Sequence, residues 1–441
     1  MAEATDPLRV EYLSPLDGLT VVRQAPPASA ASFAATYVGP AGWGFDGLGT
    51  EGTARLVNQL VTSAAGPYDR VALARRLDRA GATLTRQCAP ESAEVTVWGP
   101  ADEWEELLGL LALAVLRPRF DPDDVRRARR QLVERQLRES TQPAQRAERE
   151  LLRGIFPRGH PYAGTGLGSA RSLRRMSRER LVRFHREHYT SGGGLLVVTA
   201  PARAERLGNV ARRLFTSFEG SKGPALAPGT GRSAAGGRRD IDLPGRSQVE
   251  VRVGGPSIAR SDPRYPAAFL ANEMLGGRPL LSRLFQRVRE RGGLAYHAGS
   301  ELEAMRLGGY WLAGAGTGAD RWRKVVPMLE GELARLREAS APAQELDLVR
   351  ESTIGEIPLS LESTAEAHEL AVDAAYHGLA EDHWLRWPET LRAVRPGEVR
   401  DAAREAFGDA GSLVVIVGPL GEPKGTVRRG PARPARGRRS R

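Results

Sequence analysis

Hydrophobic and polar positions in this chain switch between a two-residue and a three-to-four-residue period, and the same succession occurs twice. Residues 19–22 (Leu-Thr-Val-Val) and 32–38 (Ser-Phe-Ala-Ala-Thr-Tyr-Val) read as strands. Residues 51–64 read as a helix, with Leu56, Val57, Leu60 and Val61 at helical spacing. A second helix over 71–80 is closed by Gly81, and strands over 83–87 and 93–98 flank a turn. An apolar helix spans 103–116. Asp121-Pro122-Asp123-Asp124 then starts another, with an acidic first turn and an early proline, which runs through Arg138. A helix over 177–188 and a buried strand over 194–200 complete this half.

The second half shows a strand at 249–253, a helix at 263–275, and strands at 294–300 and 309–315. Helices over 320–337 and 343–361 follow, with a closing strand at 412–417. Strands and helices mix without strict βαβ alternation. Each half therefore reads as α+β, helices on a largely antiparallel sheet. The shared element order points to an internal duplication. Residues 219–239 are rich in Gly, Pro, Ser and Ala, a composition that buries no core and reads as a flexible linker. The expected organisation is a first domain over 9–218, the linker, a second domain over 240–420, and a basic, disordered tail over 421–441.

With 441 residues, two domains are also what length alone suggests. The net charge of +11 invites a nucleic-acid reading, but its location argues against one. Eight Lys and Arg against one Glu fall in residues 421–441, while arginines of the body are interleaved with Asp and Glu. No specific nucleic-acid site is expected. The apolar run from Leu107 to Leu116 is too short to cross a membrane. The start, Met1-Ala-Glu-Ala-Thr-Asp6, lacks an apolar core, so the expected compartment is the cytoplasm. Cys88, the single cysteine, excludes an intrachain disulfide and a multi-cysteine metal cluster.

The most specific stretch runs from Ser282 to Tyr296: Ser-Arg-Leu-Phe-Gln-Arg-Val-Arg-Glu-Arg-Gly-Gly-Leu-Ala-Tyr. A guanidinium offers a rigid fork of donors for carbonyl or carboxylate oxygens, and a phenol can donate to a developing oxyanion. On the residues alone, Arg289 could instead pair with a neighbouring acid and Tyr296 pack at a sheet rim. The stretch resembles the signature in the second half of the pitrilysin/insulinase-type zinc peptidases, the M16 family. Weaker marks of the same resemblance are Gly52-Thr53-Ala54, His160-Pro161-Tyr162 and the strand after Tyr189, so that it covers most of residues 15–420. It implies two LuxS/metallohydrolase-like domains, a Tyr296 that stabilises the tetrahedral intermediate and an Arg289 that holds substrate backbone.

The family's first half carries His-x-x-Glu-His on a helix, which holds zinc and polarises water. A later helix supplies a third ligand. At the matching place this chain has Arg55, Asn58 and Gln59, and Glu134 or Arg135 falls where the third ligand belongs. Arginine stays protonated and offers no lone pair, and an amide is no general base. A Glu134 near Arg55 is expected to form an ion pair rather than bind metal. None of the seven histidines makes up a replacement set. His185 and His188 share a helix face but sit where a buried helix end is expected, and His368-Glu369 lacks a second His four residues on. His160 belongs to the His-Pro-Tyr turn, and His297, His377 and His383 are isolated. In some bacterial members two such chains form a clam-like shell, one with zinc and one with the Arg/Tyr pair. This chain resembles the second kind. That implies no metal of its own, zinc in a paralogous partner, a peptide substrate and little activity alone. A non-proteolytic peptide-binding or structural subunit, and a homodimeric hydrolase with an unrecognised metal site, remain as other readings.

Overall fold

The computed structural model describes residues 6–27, 31–218, 220, 222–226, 236–408 and 412–421. Eleven strands are present among them: β1 Val10–Leu13, β2 Leu19–Gln24, β3 Ser32–Gly39, β4 Thr83–Cys88, β5 Ala93–Pro100, β6 Gly194–Thr199, β7 Gly237–Asp242, β8 Gln248–Ser257, β9 Ala295–Ala304, β10 Gly309–Gly318 and β11 Leu413–Gly418. They form a six-stranded sheet in the order β1-β2-β6-β3-β5-β4 and a five-stranded sheet in the order β7-β11-β8-β10-β9. Without β1 the two orders coincide strand for strand. Each sheet also has one parallel pair, β2 with β6 and β7 with β11, in an otherwise antiparallel ladder. The α+β class and the repeated architecture expected from the element order are thus present.

The first half contributes helices α1 Thr53–Val61, α2 Arg70–Arg79, α3 Trp104–Leu116, α4 Pro122–Thr141, α5 Pro143–Ile155, α6 Ala170–Arg174, α7 Arg178–His188 and α8 Ala204–Phe215. The second contributes α9 Tyr265–Asn272, α10 Trp322–Glu338, α11 Ala343–Ser360, α12 Thr364–His377, α13 His383–Ala393 and α14 Pro396–Ala406. One face of each sheet packs on helices of its own half. Phe33, Val95 and Val97 meet Leu56, Leu107 and Leu111 in the first core, and Val251 and Trp311 meet Leu329 and Leu391 in the second.

The other face of each sheet is covered by a helix from the opposite half. Leu151, Leu152 and Ile155 of α5 lie on Leu312 of β10 and on Leu413 and Val415 of β11. Ala371 and Ala375 of α12 lie on Val22 and Val197 of the first sheet. The approach of α5 is close enough to need glycine, because a Cβ on Gly154 would stand 2.2 Å from Leu413 and one on Gly254 2.7 Å from Leu151.

Strand β7 starts at Gly237, inside the range 219–239 that composition assigns to the linker. Its Gly-Arg-Arg-Asp-Ile-Asp side chains are nearly all exposed, so it carries no hydrophobic signal, and only its backbone pairing with β11 makes it a strand. Lys222–Leu226 is described and lies against the first half. Residues 219, 221 and 227–235 of that linker, and 422–441 of the expected tail, lie outside the described residues.

Two buried polar groups join the halves. Glu91, in the β4–β5 turn, accepts from the hydroxyls of Tyr162 and Tyr376 (the latter at 3.0 Å). It also accepts from the backbone N–H groups of Arg306 and Leu307 in the β9–β10 turn, at 3.1 and 3.0 Å. His368 of α12 is fully enclosed, with Nε2 2.8 Å from Thr36 Oγ1 and Nδ1 2.8 Å from Thr199 Oγ1 on the first sheet. Burial pushes its pKa down from 6.5 to about 3. Between those pH values the unfolded chain holds a proton that the folded chain does not, so stability falls as pH drops, by about 1.4 kcal/mol per pH unit from this residue. His368→Gln is expected to weaken folding at neutral pH yet flatten the acid limb of stability between pH 6.5 and about 4. Urea midpoints at neutral and mildly acidic pH check this, and an unchanged acid slope would refute it.

Candidate functional site

Helix α1 begins at Gly52, whose φ of +99° is open to glycine at little cost. Leu173 closes off the space for a Cβ there, at 2.8 Å. Asp46 caps the helix from a distance, accepting from Gly52 N at 2.7 Å and Ala54 N at 2.9 Å. Burial nevertheless raises its carboxyl to about pKa 7. The helix then presents Arg55 and Gln59, four residues apart, to one face. With Asn58, Gln131, Glu134 and the rim of β4 they surround a hollow of about 820 Å³. The structure therefore brings together all four first-half residues singled out in the sequence.

Their bonding is not that of a metal site. Arg55 Nε donates to the Thr165 carbonyl at 2.7 Å, and its guanidinium lies 4.4 Å above the Trp43 ring. Burial pulls its pKa down, although it remains a cation. Asn58 donates to the Glu94 carbonyl at 3.0 Å and to the Tyr189 hydroxyl at 3.3 Å, so its amide holds helix to strand. Gln59 donates to the Gln131 side chain of α4. The expected ion pair between Glu134 and Arg55 does not form among the described residues. Arg55 turns instead toward Trp43 and Thr165, and Glu134 is exposed on α4. The residues present do not fit zinc, for want of lone pairs where ligands are required. Cys88 also lines the hollow, but burial pushes its thiol up to about 12 and leaves it unreactive.

Arg289 and Tyr296 lie in the other half. Arg289 is on a wide helical turn, Phe285–Glu290. Gly293, at φ +56°, then reverses the chain into β9, the free edge of the second sheet. The arginines just before it are held by carboxylates. Arg278 binds Glu356, Arg283 grips Glu345 with two bonds of 2.7 and 2.8 Å, and Arg287 meets buried Glu332. Arg289 stacks on Phe285 at 4.8 Å and makes no ion pair among the described residues. Tyr296 is 63% exposed and its hydroxyl has no partner among the described residues. Structural pairing of Arg289 and rim packing of Tyr296, both open from the residues alone, are thus not what the fold shows. Both groups face solvent with their donors free. They do not line the first-half hollow.

Histidines are bound up structurally. His185 donates to the Val115 carbonyl at 2.8 Å and His188 bonds the Pro40 carbonyl at 3.1 Å. His160 stacks on Phe156 at 4.4 Å, and His297 lies 3.3 Å from buried Glu250. Among the described residues no group of three His, Cys, Asp or Glu side chains is placed to hold a metal ion. No helix there is long and apolar enough to cross a membrane. Zinc added to the isolated chain is therefore expected to leave its melting temperature unchanged. A rise of about 3 °C or more in excess zinc would reveal a site that binds the folded form.

Residues 175–353 match the family model described as the peptidase M16 inactive domain. An uncharacterized zinc protease of Streptomyces coelicolor is 32% identical over 265 residues, covering 58% of this chain and 56% of that relative. The match thus spans little more than half of that protein's length. An uncharacterized zinc protease of Mycobacterium bovis is 27% identical over 353 residues, 79% of each chain. Among solved structures, a peptidase M16 inactive domain from Pseudomonas fluorescens superposes with a TM-score of 0.87 at 22% identity, over 96% of this chain and all of the other. A protease from Helicobacter pylori gives a TM-score of 0.84 at 16% identity, over 93% of this chain and 99% of that one. These two share the fold. Residues 175–353, which hold the signature at 282–296, are thus similar to the peptidase M16 inactive domain, and the chain as a whole shares the fold of the two solved structures.

Proposed function

We propose that this chain is the non-metal subunit of an M16-type peptidase, supplying Arg289 and Tyr296 to an active site completed by a zinc-bearing paralogue. The observation that carries the reading is an asymmetry. The second-half pair is exposed with no ion pair or side-chain hydrogen bond among the described residues, while Arg55, Asn58 and Gln59 are tied into bonds that exclude a metal ligand. Zinc held by the partner supplies polarisation of water and carbonyl. From this chain, the Tyr296 hydroxyl donates to the oxygen on which charge develops at the scissile carbonyl. The Arg289 fork donates to substrate backbone carbonyls and holds the peptide in register. The edge position of β9 leaves both groups reachable from outside the chain.

The test is reconstitution. The chain is co-purified with a paralogue bearing His-x-x-Glu-His, and peptide cleavage is assayed for each alone and for the mixture. Cleavage by the mixture only is expected. Full activity of the paralogue alone, unaffected by this chain, would defeat the proposal. A stable complex with peptide binding and no cleavage would point to the non-proteolytic subunit instead.

A further inference from the structure

The hollow above α1 has the wrong chemistry for a cation and the right chemistry for an anion. Four arginines line it, Arg55, Arg86, Arg135 and Arg138, against one carboxylate in the lining, Glu134. Arg135 is partly neutralised by Glu139, 2.9 Å away on the next helical turn. Arg55 and Arg138 make no ion pair with any described residue. Arg55 is the notable one, because its guanidinium is half-buried between Trp43 and the Thr165 carbonyl with no carboxylate at ion-pair distance among the described residues, and only the longer-range fields of Glu139 and Asp46 offset its charge. A desolvated, unpaired charge is a cost that a bound anion relieves. Elsewhere the buried arginines Arg260 and Arg278 have carboxylate partners, Asp373 and Glu356. The surrounding amides of Gln59 and Gln131 are neutral and polar, so they tolerate a hydrated ligand.

We propose that this hollow is a carboxylate subsite, which takes an Asp or Glu side chain of a bound peptide against Arg55, Arg135 and Arg138. Arginine is suited to this because its planar fork can bind a carboxylate through two parallel hydrogen bonds. A volume of about 820 Å³ is ample for an acidic side chain and its flanking backbone. The position a metal ligand holds in zinc-bearing relatives becomes a specificity contact here. The inference rests on the peptide-handling role proposed above and adds a preference for acidic peptides.

The test uses the full chain and fluorescence anisotropy with labelled peptides of equal length. One has two central Glu and blocked ends, the second has Gln at those places, and the third is the Gln peptide with a free C-terminal carboxylate. A single-stranded oligonucleotide serves as a further probe. The Glu peptide is expected to bind about tenfold tighter than its Gln counterpart. Arg138→Gln and Arg55→Gln should each remove most of that preference and leave Gln-peptide binding in place. Arg138 is exposed and its replacement keeps the fold, which covers the case in which Arg55→Gln unsettles the Trp43 contact. Arg206→Gln, on the far surface beside Glu105, should change nothing. Equal binding of Glu and Gln peptides would overturn the subsite while leaving peptide handling standing. No binding of any peptide would overturn both. A preference that survives in both variants places acidic binding on another surface, such as the basic tail, and overturns the assignment. So does tight oligonucleotide binding lost in the same variants, or a preference only for the free C-terminus.

Discussion

Tyr296→Phe, in the proposed complex with a zinc-bearing partner, is expected to lower kcat by about 10²–10³-fold, the usual effect of removing one oxyanion donor. The phenol ring is 63% exposed and its hydroxyl serves no other group among the described residues. Loss of one oxygen should therefore leave folding and partner binding untouched, with any stability change within about 0.5 kcal/mol. Arg289→Ala should act differently. In the role proposed for Arg289 it removes contacts to the bound substrate as well as to the transition state, so KM should rise and kcat/KM fall roughly ten- to hundredfold. Arg289→Lys should recover little, because an ammonium lacks the planar fork. Steady-state kinetics of the three variants separate these roles. Unchanged kcat in Tyr296→Phe would remove Tyr296 from the chemistry. A lowered melting temperature would instead mark it as structural.

Glu91→Ala is expected to cost about 3–5 kcal/mol, among the largest effects of any single substitution in this chain. One carboxylate satisfies four donors, two tyrosine hydroxyls and two backbone N–H groups, at a place that is 8% exposed. Truncation leaves all four without that acceptor. Glu91→Gln keeps the shape but turns an N–H₂ toward donors, so it should be nearly as harmful. The two hairpins that meet there belong to different halves. Loss of Glu91 should therefore weaken their mutual hold before it weakens either core. Urea unfolding followed by tryptophan fluorescence and by circular dichroism checks this, with separation of the two curves as the signature. A cost below about 1 kcal/mol would show that water or neighbouring groups replace the carboxylate.

The duplicated α+β plan was legible because the core-facing strands and helices such as α1 and α10 carry their own hydrophobic periods. The strand expected over 294–300 puts Tyr296 near a strand start, and it is the second residue of β9. What the sequence hid follows from how signals arise. Strand β7 has nearly all side chains exposed and shows only in its pairing. Helices α5 and α12 have apolar faces, but nothing local says that the sheet they cover is the other half's. Glu91 between Pro90 and Ser92 reads as an ordinary polar turn, and the four donors that make it a junction come from three distant segments. Arg55 and Glu134 invite pairing when judged by charge alone. An aromatic ring and a free carbonyl, Trp43 and Thr165, compete for the guanidinium and win it.

The crossing of α5 and α12 has a consequence for how the protein is made. The first sheet is complete once β6 has been synthesised, yet one of its faces stays bare until residues 364–377 emerge. At ordinary translation speeds that interval is on the order of ten seconds or more. During it, Val22 and Val197 on that face lack their cover. The nascent first half is thus expected to behave as a chaperone client rather than as an autonomous folding unit. A gene split at the linker should yield two fragments that are insoluble when expressed apart and soluble when expressed together.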